Sequence, residues 1–70
     1  MLVMTAKQVE KLILAKGWEF VRQCGAHRKY KHRDKKGNVT IPFHTKPEDL
    51  NYKVLKSIFQ QAGLDIKEYL

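Results

Sequence analysis

The apolar residues of this chain change their spacing twice, and that change constrains the fold more than any other feature. Ala6, Val9, Leu12 and Ile13, with the stem of Lys16, recur at helical intervals. Thr5 and Gln8 are spaced for a capping box, and Gly17 can adopt the left-handed conformation that stops a helix, so the spacing predicts a helix over 6–16. From Trp18 the pattern becomes strand-like. Residues 18–23 are rich in β-formers, Gly25 supplies a tight turn, and 27–33 form a second strand. Residues 34–38 have turn composition and 39–43 form a third strand, at an edge or with a free end because Pro42 donates no ladder bond. After a loop over 44–50, Asn51 is an N-cap. Val54, Leu55, Ile58, Phe59 and Ala62 restore the helical period over 52–62, and Gly63-Leu64 close it in a Schellman ending. Residues 65–70 add one further short turn of helix.

The order helix, three strands, helix implies an α+β domain. Short turns make the strands an antiparallel meander, both helices pack on one face, and the other face stays open to solvent. This is the α-β-β-β-α order of the double-stranded-RNA-binding domain. Residues 1–70 read as a single domain, with no internal repeat or linker.

At this length a chain usually needs a staple, a metal or a partner for comfortable stability. Cys24 is the only cysteine, which excludes a disulfide within the chain and suggests a reducing compartment. With no apolar run long enough to span a membrane and no signal-peptide pattern, the expected location is the cytoplasm. Fourteen Lys and Arg against seven Asp and Glu give a net charge of +7. The excess clusters at Arg22 and along His27–Arg33, closed by Lys35 and Lys36, and such a cluster attracts nucleic acid or an acidic protein surface.

Strand parity sorts this cluster into faces. Tyr30 must face the helices, so Arg28 and His32 share its side, while His27, Lys29, Lys31 and Arg33 point to the open face. On the third strand Val39, Ile41 and Phe43 turn inward, leaving Thr40, Pro42 and His44 outside. Pairing Tyr30 with Ile41 sets His27 opposite His44 and Lys29 opposite Pro42. A slip of two residues keeps both histidines on the open face, whereas a slip of one buries charge.

Two histidines and a lysine can cleave RNA without a metal: one base takes the 2′-hydroxyl proton, one acid protonates the leaving oxygen, and a cation steadies the phosphorane. On the residues alone, plain RNA binding ranks ahead of cleavage. Cys24, His27, His32 and His44 match no common zinc spacing, and parity divides them between faces, so no metal or cofactor is expected. Cys24 reads as a semi-buried structural cysteine, and Trp18 and Phe20 as core residues.

Four stretches in this order carry a family resemblance: Thr5-Ala6-Lys7 running to Gly17-Trp18, Arg22 to Tyr30, Val39 to His44, and Leu55 to Leu64. Together they resemble the HicA toxins, small mRNA interferases of toxin–antitoxin systems. The resemblance implies a double-stranded-RNA-binding-like fold, cleavage of mRNA, and a HicB antitoxin that covers the active site and through which any oligomer would form. It places the family's essential histidine, in its Gly-Ser-His motif, at His27. Ala26 stands where serine is common, and Tyr52 stands about where a proline usually opens the last helix. The expected site is therefore His27 as the proton-transfer residue and His44 as a second, with Lys29, Lys31, Arg22 and Arg28 holding phosphate. The alternatives are a non-catalytic double-stranded-RNA-binding module and a basic domain that meets an acidic protein partner.

Overall fold

A computed structural model describes residues 2–43 and 49–70. The elements follow the expected order: α1 (Ala6–Ala15), β1 (Trp18–Cys24), β2 (His27–His32), β3 (Asn38–Pro42), α2 (Tyr52–Gln61) and the short 3-10 helix η1 (Ile66–Tyr69). The Thr5 hydroxyl accepts from the Gln8 amide while the Gln8 side chain accepts from the Thr5 amide, so both halves of the capping box form. At the far end of α2, the Gly63 amide donates to the Gln60 carbonyl and the Leu64 amide to Phe59, which is the Schellman pattern. The Lys35 ammonium donates to the Ala62 carbonyl at the same end, where a cation complements the helix dipole. One member of the basic run is thus spent on helix capping.

The sheet is antiparallel in the order β1-β2-β3. Its inner face buries Trp18, Tyr30, Val39 and Ile41 against Val9 and Ile13 of α1 and Leu55, Ile58, Phe59 and Ala62 of α2. Each large side chain so buried contributes about 1.5–3 kcal/mol. The shortest molecular dimension, 18 Å, is that of one sheet and one helical layer.

Three expectations are corrected. The β2–β3 register is two residues away from the one expected: Tyr30 pairs with Val39 rather than Ile41, Lys29 with Thr40 rather than Pro42, and His27 with Pro42 rather than His44. The cause lies at His32, whose Nδ1 accepts the Asp34 amide and whose Nε2 lies 3.1 Å from the Lys16 carbonyl. These bonds turn the chain off the β3 side at His32, and the last pair becomes Lys31 with Asn38. A shift of two preserves every face assignment.

Phe20 is 50% exposed rather than a core residue. After Trp18 every residue of β1 is exposed, because the two helices cover β2, β3 and only the start of β1. Phe20 remains on the helix side, edge-on to Tyr30. Cys24 is exposed rather than semi-buried. A β-bulge between Phe20 and Arg22 inserts Val21 as an extra residue, so the strand's parity changes there and Cys24 falls on the open face opposite His27.

Candidate functional site: the open face of the sheet

The bulge decides what the open face carries. Without it Arg22, two residues from Phe20, would lie on the helix side. With it Arg22 stands directly opposite Lys29. Pairing across three strands then arranges the face in rows: Cys24, His27 and Pro42; Arg22, Lys29 and Thr40; Glu19, Lys31 and Asn38. Alternate residues along a strand are about 7 Å apart, which is the row spacing. Arg22, Lys29 and Lys31, with Val21 and Asn38, line a shallow hollow of about 280 Å³. Three of the four expected phosphate-holding residues are therefore neighbours. His27 is exposed one row away, at the hairpin end of β2.

His27 follows a two-residue turn, Gly25-Ala26. Gly25 has φ +59° and Ala26 does not have positive φ, which makes the turn type II′, the form that matches strand twist. The turn is held by side chains on the helix face. The Gln23 amide nitrogen donates to the Gly25 carbonyl at 3.0 Å, and the Gln23 oxygen accepts from Arg28 Nε at 3.1 Å. Arg28 Nη1 reaches Glu10 Oε2 of α1 at 2.9 Å, and the Tyr30 hydroxyl donates to the same oxygen. The Ala26 carbonyl accepts from the Phe43 amide at the end of β3. A continuous chain of hydrogen bonds thus runs from α1 to the turn that precedes His27.

Arg28 belongs to that chain. Its guanidinium lies 4.3 Å from the Phe43 ring centroid and 5.6 Å from that of Phe20, a stacked, ion-paired position on the helix side. The hydrogen bond it donates to Glu10 raises its pKa further above an already high value. Burial, then the Glu10 contact, raise the Tyr30 phenol well above its ordinary range. His32 also stays on the helix side, its ring edge-on to Trp18 at 5.3 Å. His44 lies outside the described residues.

No local sequence pattern singles out Glu10 or Gln23. Glu10 sits on the polar flank of an amphipathic helix and Gln23 in a strand, and only the tertiary contact with Arg28 connects them. Cys24 as the cross-strand neighbour of His27 was hidden for the same reason as Arg22: a bulge leaves no sequence periodicity.

A three-stranded antiparallel sheet with two helices on its inner face and a cationic open face defines a compact α+β domain of double-stranded-RNA-binding topology. The model of the family described as HicA toxin of bacterial toxin-antitoxin matches residues 6–64, nearly the whole chain, and the chain belongs to that family. No curated protein matches it. Among the described residues, no helix is long and apolar enough to cross a membrane.

Proposed function

We propose that this HicA-family toxin is an mRNA endonuclease in which His27 transfers the essential proton. The observation that carries the reading is the exposed His27 one row from the paired cations Arg22 and Lys29. RNA phosphates bind to Arg22, Lys29 and Lys31, which places a backbone linkage beside the imidazole. The 2′-oxygen attacks phosphorus as its proton leaves, the bond to the 5′-oxygen breaks, and that oxygen is protonated, giving a 2′,3′-cyclic phosphate and a 5′-hydroxyl. A histidine serves as base or acid near neutral pH, and the cations stabilise the added charge of the phosphorane. His44 is the second proton-transfer candidate on its sequence position alone. Arg28 contributes through the turn and the local positive potential.

The same cationic face fits a HicB-type antitoxin with an acidic surface, and its binding there would exclude RNA. One observation favours the binding-only alternative. Ala26 offers no hydroxyl in the turn before His27, so any orientation a serine would give to phosphate or imidazole is missing.

The test is incubation of the purified protein with a structured mRNA in EDTA. Wild type should cut, His27→Ala should not, and a substrate with a 2′-deoxy scissile nucleotide should resist. Cutting of the deoxy substrate at the normal rate would remove the mechanism. Salt-sensitive binding without cleavage would establish the binding module instead.

A further inference from the structure

The third row of the open face carries, on either side of Lys31, chemistry that phosphate holding does not use. Glu19, Lys31 and Asn38 stand opposite one another across the three strands. Glu19 places a negative charge on a face that otherwise suits a polyanion, and among the described residues it forms no ion pair that would explain it. Beside it the bulge turns out Val21, which is 47% exposed, an aliphatic side chain among cations. The hollow lined by Val21, Arg22, Lys29, Lys31 and Asn38 adjoins a second of about 410 Å³, which Glu19, Val21 and Lys31 line together with Phe20, His32 and Arg33.

An aliphatic wall, a carboxylate that only accepts, and an amide that both donates and accepts are groups suited to a nucleobase rather than to a phosphate. A guanidinium plane adds a stacking surface for an unstacked base. We propose that this row is a base-reading subsite for single-stranded RNA, with one base against Val21 and Arg22 and its polar edge on Asn38 and Glu19. This deepens the RNA-binding reading above and rests on it. The row lies two spacings from His27, roughly 13 Å along β2, so the base read is that of a neighbour of the scissile nucleotide. Glu19 gives the subsite a direction. Its carboxylate accepts from the exocyclic amine of cytosine, whereas uracil presents a carbonyl oxygen at the equivalent position, which repels it.

The experiment uses His27→Ala protein, so that cleavage does not consume the probe, and compares oligo(C) with oligo(U) of equal length at one salt concentration. Oligo(C) should bind more tightly by on the order of tenfold. Adding Glu19→Gln should level the two, chiefly by strengthening oligo(U), because an amide accepts and donates and carries no charge. In amide spectra, cytidine 5′-monophosphate should shift Val21 and Asn38 as well as the phosphate-holding Arg22, Lys29 and Lys31, while ribose 5-phosphate should shift only those three. Equal affinity for both oligomers, with RNA binding intact, overturns the subsite and leaves the RNA-binding reading standing. Failure to bind either oligomer at low salt overturns both.

Discussion

Two adjacent residues of β2 show how one strand divides its work. Arg28 is stacked between aromatic rings and paired with Glu10, whereas Lys29 belongs to the open face. Lys29→Ala should weaken RNA binding and leave the urea midpoint unchanged. Arg28→Ala should lower the midpoint, because it leaves the Glu10 carboxylate without its cation and removes packing on Phe43. His27→Ala should abolish cleavage at a stability cost within about 0.5 kcal/mol, since an exposed strand side chain carries little packing. Tyr30 predicts the response to alkali. Its folded pKa is raised, so as pH climbs past about 10 the unfolded chain releases the phenolic proton while the folded chain keeps it, and stability falls. Below that pH both states are protonated and the effect vanishes. The decline in urea midpoint between pH 9 and pH 11 should be shallower in Tyr30→Phe than in wild type. Of these residues, His27, Lys29 and Tyr30 could be assigned to their faces from strand parity. Arg28 could be assigned to a face but not to its partner, because Glu10 lies on another element.

At the scale of the element, the junctions carry the specific information. Gly17 joins α1 to β1 at φ +97°, and a β-carbon there would lie 2.7 Å from His32 Nε2. Gly17→Ala should therefore cost more than about 1 kcal/mol, combining backbone strain with displacement of the His32 ring. Thermal melts should show the loss, and His32→Ala should reduce the additional penalty in a double-mutant cycle. The β1–β2 hairpin gives a functional counterpart. Gln23→Ala removes the side chain that holds the Gly25 carbonyl and leaves the open face chemically unchanged. Cleavage should slow through kcat with KM for RNA nearly constant, because the cations still bind while the turn bearing His27 is looser. An unchanged kcat would show that the II′ turn holds itself.

For the molecule as a whole, the governing quantity is a charge of +7 on a slab 18 Å thick. Buried apolar residues lie on one side of the sheet and the cations Arg22, Lys29 and Lys31 on the other, so stability and ligand binding separate in space. RNA affinity should fall steeply with salt. Each lysine removed from the face should reduce the slope of log affinity against log salt by about 0.7 for a single strand. The double variant Lys29→Glu with Lys31→Glu should weaken both RNA and an acidic antitoxin, with the loss for the antitoxin largest in its association rate. An antitoxin that bound the double variant as well as wild type would occupy another surface.

The sequence alone determined the element order, both helix caps, the inward set of β2 and β3, and a cationic open face containing His27, Lys29 and Lys31. These follow from periodicity and from capping residues a few positions apart, and both are local properties of a chain. The tertiary structure decided the rest. The β2–β3 register depends on His32 binding the end of α1, a contact between Lys16 and His32 that no local pattern encodes. The places of Arg22 and Cys24 depend on a bulge at Val21, a one-residue irregularity that reverses parity without altering composition. The support beneath His27 depends on Glu10, Gln23 and Arg28 meeting from separate elements. Spacing reports which side of its own element a residue occupies, whereas hydrogen bonds between elements determine which residue it meets there.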